Sequence, residues 1–220
     1  MNNAVVWASS QSKGEIKRWR ERGLDSVIRE RTGLNSDAYY SASKIAWILE
    51  TVPGVHERAE KKREQLAGTI DTWLIWNLTG RCAHVTDYSN ASRTMMFNIH
   101  TREWDQDLLD AYGTPRCMLA KVVSSDTIVG DDGATSGPRF PSRPHGRSVG
   151  RILRSRLLPG RSGQMTYGTA GVLTINCGDT PSMLEGAMTP LAWVVGGEVR
   201  YENEGVLFSM GKPCSGCTTI

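Results

Sequence analysis

Between Gly133 and Gly178 the sequence contains no aspartate or glutamate, while seven arginines fall between Arg139 and Arg161. Glycine, proline and serine are interspersed with them, and no apolar period of helix or strand runs through residues 133–163. A block of this composition cannot bury enough apolar surface to form a layer of its own. It separates a first part with helical patterning from a last part with strand patterning. The change of texture predicts an α/β or α+β arrangement with a boundary near it.

Within the first part, residues 4–8 of AVVWASS predict a buried strand running into a turn. Glu15–Gly23 and Leu24–Glu30 have helical character. SASKIAWILETVPG predicts a helix with Ile45, Ile48 and Leu49 on one face, capped by Ser41 or Ser43 and stopped by Pro53 and Gly54. VHERAEKKREQ predicts an exposed helical stretch. TIDTWLIWNLTG predicts a helix carrying Trp73, Leu74, Trp76 and Leu78 and closed by Gly80. DYSNASRTMMFNI is short and mixed, and DQDLLDAYG predicts a helix with a glycine stop. In the last part, VLTINCG and LAWVVGGEVRYENEG predict strands, with a tight hairpin turn at Gly196–Gly197.

The net charge of +3 is too small to argue for a nucleic-acid partner by itself. Five cysteines, an odd number, do not describe a disulfide framework and suit a reducing, cytoplasmic compartment. No run of about 18 apolar residues is present to span a membrane. The first residues lack the basic region and apolar core of a secretory signal. A strand at the very start is expected where a chain has been cut into.

Several stretches occur together and in order: AVVWASSQS, RERTGLNSDAYYSASKIAWILETVPGV, GTIDTWLIWNLTG, HVTDYSNASRTMMFNIHTREWD and MTYGTAGVLTINCG. They resemble the FGGY carbohydrate kinases, and within that family the glycerol kinases. The resemblance runs from Asn3 to about Gly130 and resumes from Met165 to about Phe208. It implies a partial actin-like, ribonuclease H-like α/β fold that lacks the start of the first domain and most of the second. It also implies ATP- and Mg²⁺-dependent phosphorylation of glycerol. A site specific for so small a polyol must hydrogen-bond its hydroxyls. Phosphoryl transfer adds an in-line hydroxyl, a carboxylate to take its proton, and amides plus a metal on the phosphates.

By the same resemblance, Tyr39 in DAYYSASK occupies the tyrosine position that borders glycerol, where its phenol can donate to a hydroxyl. Gly168 and Thr169 in TYGTAG resemble the loop that approaches the ATP phosphates; glycine permits close approach and threonine can bond an oxyanion. Val172 stands where the family has an aromatic beside glycerol, which puts substrate packing in question. The first phosphate loop and the Arg-Glu pair that grips glycerol would lie before Met1, and the adenosine loops after Ile220. The implied partners are glycerol and ATP, with a homo-oligomer open and no membrane.

The family's Gly-Asp-Gln motif, whose Asp is the general base, would fall near Arg147, and arginine cannot accept a proton. Gly130-Asp131-Asp132 lies too far upstream to replace it. One possible coding of GRILRSRLL, read one base on, gives Ala-Ala-Ser-Phe-Gly-Gln-Gly-Cys, similar to the family's run after that Asp. KPCSGCTTI, read two bases on, gives Ala-Val-Gln-Trp-Leu-His-Asp-Asn, similar to the family's following helix. A damaged reading frame is therefore expected, and the coding DNA with its flanks would reveal it. The expected layout is 1–132 as the remainder of the FGGY N-terminal domain, 133–163 as disordered or out of frame, 164–208 as the start of the C-terminal domain, and 209–220 as an out-of-frame tail. Out-of-frame sequence also accounts for the isolated Cys214-x-x-Cys217 pair, which alone is weak as a redox or zinc motif. Arg151, Arg154 and Arg156 could serve a basic nucleic-acid-binding fragment, but the block lacks interleaved aromatics. An intact but divergent sugar kinase is the other alternative. The polypeptide alone is expected to be inactive.

Overall fold

The computed structural model describes residues 4–61, 64–129, 163–167 and 171–207. Helix α1 (Lys13–Glu21) buries Ile16 and Trp19, three residues apart on one face, and α2 (Asp25–Thr32) buries Ile28 and Thr32 at a spacing of four. Helices α3 (Ser41–Thr51) and α4 (Val55–Glu60) follow, and Leu49 of α3 packs with Val55 and Ala59 of α4 in a small cluster of their own. Helix α5 (Ile70–Leu78) leads to strand β1 (Val85–Asp87) and the short α6 (Tyr88–Ser92). Then come β2 (Phe97–Asn98), β3 (Glu103–Trp104), α7 (Gln106–Tyr112) and β4 (Lys121–Val123). The last part consists of β5 (Gly163–Tyr167), β6 (Gly171–Gly178), β7 (Leu191–Val195) and β8 (Glu198–Leu207).

Strands β1 and β4 pair in parallel, Val85 opposite Lys121 and Asp87 opposite Val123, and β2 pairs antiparallel with β3. The last part forms a four-stranded antiparallel sheet in the order β5-β6-β8-β7. Its β7–β8 turn is Gly196–Gly197, with φ of +57° and +82° at the two positions. Positive φ at both central residues is the hairpin geometry that matches strand twist. Asp87 and Asp105 cap α6 and α7, their carboxylates accepting from Asn90 N at 2.9 Å and Leu108 N at 3.1 Å.

A single apolar core crosses from one part to the other. Ile28, Met95, Phe97, Ile99, Leu108 and Leu109 lie in the same buried cluster as Met188, Leu191, Val194 and Tyr201. Trp19 stacks on Tyr112 with ring centroids 3.9 Å apart, and Phe97 meets Trp104 edge-on at 5.5 Å. Polar contacts pin the junction. Thr189 N donates to Gly33 O at 2.8 Å, the Tyr201 hydroxyl to Ile99 O at 2.8 Å, and Ser125 N to Val194 O at 2.9 Å.

The structure corrects three local expectations. Residues 4–8 are not a buried strand: they run as coil and turn, closed by Ser9 N donating to Val6 O, and Val6 and Trp7 are exposed. A strand needs a neighbouring ladder, and among the described residues none lies beside this one. Neither Ser41 nor Ser43 caps α3; Tyr40 holds that position without a side-chain bond, while Ala42 N is satisfied by Thr94 O at 2.9 Å. A tertiary carbonyl has replaced the local cap, and Ser43 instead meets Ser12, their hydroxyl oxygens 3.0 Å apart. The helix expected from VHERAEKKREQ ends at Glu60, with Val55 and Ala59 turned inward.

His84 ties α5 and β1 to the 67–69 segment, its Nε2–H donating to Ala67 O at 3.1 Å. Burial draws its pKa below the ordinary value, and the bond to Ala67 only partly offsets this. The unfolded chain therefore takes up a proton first as pH falls. The contribution is complete above about pH 6.5 and declines as pH drops toward the lower, folded value. Urea midpoints should fall between pH 7 and pH 5, and His84→Gln should flatten that slope; an unchanged slope would remove His84 as its source.

Candidate functional site

The turn Asp37–Tyr40 delivers two adjacent tyrosines to opposite environments. Tyr40 points into the core, 4% exposed, with its hydroxyl on the Met188 sulfur, and burial pushes its pKa up. Tyr39 is half-buried and turned toward the surface. The turn is held by its own residues: Tyr39 N donates to Asp37 Oδ1 at 2.7 Å, Tyr40 N donates to Asp37 O at 3.3 Å, and the Lys44 ammonium donates to Ala38 O. Lys44 is itself buried in the first turns of α3, and burial draws its pKa down. A charge held at that cost fixes the carbonyl immediately before Tyr39.

Around Tyr39 the rings form a corner. Tyr40 stands perpendicular to it at 5.1 Å, and Trp7 meets it at 5.7 Å and 61°. Trp7 is 49% exposed, so the corner opens to solvent on that side. Two ring faces and one phenol can take the C–H and O–H groups of a polyol together. Sequence patterning missed Trp7 because it placed this residue in a buried strand. The available signal was a large aromatic inside an otherwise polar ASSQS context.

The other residues singled out in the sequence are less fully placed. Gly168 and Thr169 lie outside the described residues; Tyr167 and Gly171 on either side of them pair across β5 and β6. Val172 is half-buried on β6, opposite Thr166 and Val206. Asp131, Asp132, Arg147, Arg151, Arg154, Arg156, Cys214 and Cys217 also lie outside the described residues.

Among the described residues, every buried carboxylate is engaged in holding the fold. Glu15 pairs with Arg18, and Asp87 accepts from Ser89, Asn90 and Ser125. Asp105 accepts from Asn98 at 2.9 Å and from Arg31 at 2.8 Å. Burial works against its charge, yet these bonds and that from Leu108 N hold its pKa below the usual range. Glu202 and Glu204 pair with Arg93. A small cavity between α3, α5 and β1, lined by Ser41, Thr69, Thr72, Thr86, Met96 and Trp104 among others, has no ionisable side chain in its wall. Among the described residues no three His, Cys, Asp or Glu side chains come together as a metal site, and no helix is long and apolar enough to cross a membrane.

Residues 1–134 match the FGGY family of carbohydrate kinases, N-terminal domain. Glycerol kinase of Geobacillus kaustophilus is 43% identical over 214 residues, which cover 96% of this chain and 43% of the relative. Glycerol kinase of Bacillus subtilis is 42% identical over 214 residues, with the same coverage. The chain therefore spans less than half the length of these relatives. Among solved structures, Plasmodium falciparum glycerol kinase with ADP superposes with a TM-score of 0.87 at 24% identity, over 94% of this chain and 42% of that one. Ligand-bound xylulose kinase from Lactobacillus acidophilus superposes with a TM-score of 0.76 at 20% identity. These likenesses establish the partial α/β kinase fold.

Proposed function

Because the chain belongs to the FGGY family of carbohydrate kinases, we propose that it carries part of the machinery for ATP-dependent phosphorylation of glycerol to glycerol 3-phosphate. In this reading Tyr39 is a substrate contact. The observation that carries it is the open aromatic corner of Tyr39 and Trp7, set on a turn that Lys44 holds from below. The Tyr39 phenol donates to, or accepts from, a glycerol hydroxyl, and Trp7 shields the carbon chain from water. Gly168 and Thr169 are the proposed approach to the nucleotide phosphates. ATP and Mg²⁺ enter through family membership, since the described residues supply no metal ligands as a group. The metal would neutralise phosphate charge; no step is assigned to these residues through it.

The chain by itself should not turn over. Residues 133–178 contain no carboxylate to receive the alcohol's proton, and catalytic groups that act as a unit lose most of the rate when one is absent. We read 133–163 and 209–220 as out-of-frame sequence in a cytoplasmic kinase fragment. Two measurements on the purified chain test the proposal. Glycerol, titrated in the millimolar range with ligand-observed NMR, should show saturation transfer that Tyr39→Ala abolishes. ATP-dependent glycerol 3-phosphate formation should equal that of a vector-only preparation. Equal saturation transfer in Tyr39→Ala removes Tyr39 from the site, and measurable turnover overturns the missing base.

A further inference from the structure

Lys44 is the fourth residue of α3, a helix whose first turn carries no acidic residue. A cation is least favoured there, because the helix N-terminus is the positive end of its dipole. A lysine on a helix ordinarily bends its long stem until the ammonium reaches water. Lys44 does not: it is 7% exposed, and burial draws its pKa down. The exposed Asp37 carboxylate offsets this only in part and does not pair with it directly. Neither the helix nor the core gains from a charge in this place, and an apolar side chain of similar length would suit both better.

What the ammonium does is donate to Ala38 O. That carbonyl belongs to the same planar peptide unit as the Tyr39 N–H, and the N–H donates to Asp37 Oδ1 at 2.7 Å. The peptide plane before Tyr39 is therefore gripped at both of its polar atoms, by one side chain before it in sequence and one after. Beyond Tyr39, the Tyr40 hydroxyl is anchored on the Met188 sulfur, and the Tyr40 ring stands perpendicular to that of Tyr39 at 5.1 Å. With the plane fixed on one side and the neighbouring ring on the other, the Tyr39 phenol is aimed at Trp7, 5.7 Å away between ring centroids.

We propose that Lys44 is a positioning residue of the candidate site: its buried ammonium fixes the peptide plane that precedes Tyr39 and so holds the phenol in the pose that meets a polyol hydroxyl. Lys44 does not touch the substrate. The proposal deepens the reading of Tyr39 as a glycerol contact and rests on it. A contact ordered in advance spares the ligand the cost of ordering it on binding. That gain explains a charge which the helix end and the core would each reject.

Two readouts on the full chain separate positioning from a structural role. The first needs no ligand. In protein labelled at tryptophan and tyrosine, NMR cross-relaxation between the Trp7 and Tyr39 rings reports the corner, and that between Trp19 and Tyr112, stacked at 3.9 Å, reports the core. In Lys44→Met the Trp7–Tyr39 signal should be lost and the Trp19–Tyr112 signal kept. The urea midpoint should hold or rise, since removal of the buried charge offsets the bond left unmade at Ala38 O. The second readout is glycerol saturation transfer, whose apparent Kd should rise about tenfold in Lys44→Met. Lys44→Gln, uncharged but keeping an N–H donor, should lie between Lys44→Met and wild type in both. An intact corner and an unchanged Kd in Lys44→Met overturn the proposal. So does a corner lost only in step with the core and the urea midpoint, in either variant, which would make Lys44 a structural residue. Saturation transfer absent from the wild type, or unchanged in Tyr39→Ala, sinks the glycerol reading and the positioning role with it. A wild type that binds, with Lys44→Met binding equally well, sinks the positioning role alone.

Discussion

Arg93→Met will loosen the strand-rich part from the helix-rich part at a cost of about 3–5 kcal/mol, the size expected for breaking a buried ion pair on one side. Arg93 follows α6. Its guanidinium grips Glu204 with two bonds, Nη1 to Oε1 at 2.8 Å and Nη2 to Oε2 at 2.7 Å, and Glu202 Oε1 with a third at 2.6 Å. The Glu202 side chain is 1% exposed and that of Glu204 8%. Burial opposes the arginine's charge, but the two carboxylates outweigh it and push its pKa up. Without the guanidinium, Glu202 and Glu204 would lose these three bonds and face one another as like charges in a buried space on β8. Against a total stability of about 5–15 kcal/mol, that loss is enough to unfold a large fraction of molecules. Lysine should not rescue it, because a point charge cannot reproduce the bidentate fork. Arg93→Met combined with Glu202→Gln and Glu204→Gln should recover more than half of the loss. The carboxyl pKa values in Arg93→Met should also rise, so that variant should regain stability on acidification, opposite in sign to the His84 effect. Urea denaturation measures all of this; a variant within about 1 kcal/mol of wild type would mean the triad does not hold the junction.

None of this was legible in the sequence. Arg93 sits in SNASRTMM, and nothing within that stretch says that its partners lie more than a hundred residues away on β8. Local signals fared better. Gly113 ends α7 and Gly196–Gly197 turns β7 into β8, because a left-handed backbone demand is written in the residues that make the turn. The period of α5 identified a helix correctly but not which side faces the core, because apolar residues occupy both. Strands β1 and β4 have three residues each, too short for alternation to register, and their pairing is a property of the fold. The stretch 4–8 has strand-like composition, but among the described residues it has no ladder partner, so context overrode composition there.

The site divides in the same way. Tyr39 was legible through resemblance alone. Its physical role became arguable only when the turn, the Lys44–Ala38 bond and the neighbouring Trp7 were in place. Lys44 was visible only as the lysine of the family-like stretch YYSASKIAW, since a lysine early in a helix is otherwise ordinarily a solvated one. The proposed phosphate approach at Gly168 and Thr169 remains a statement from sequence, between two strand ends that the structure does pair.

Gly33→Ala should be strongly destabilising for the addition of a single methyl group. Gly33 closes α2 in the left-handed region at φ +71°, where its N–H returns to Arg29 O at 3.0 Å. An added Cβ would sit 2.3 Å from Thr189 O and 2.9 Å from Thr189 C. Those are backbone atoms of the segment leading into β7, and the same residue's N–H donates to Gly33 O, so the clash cannot be relieved without breaking the bond that docks the two parts. Gly23 supplies the control. It has nearly the same φ, +74°, with nothing within 4 Å of its would-be Cβ. Gly23→Ala should therefore cost only the left-handed backbone penalty, about 1–2 kcal/mol. Gly33→Ala carries that penalty plus a forced displacement of the strand-rich part, and should exceed the control by at least about 2 kcal/mol. Hydrogen exchange should locate the excess: Thr189 and Leu191 amides should lose protection in Gly33→Ala and keep it in Gly23→Ala. Equal destabilisation by the two substitutions, with equal protection, would show that the two parts are not held together through this contact.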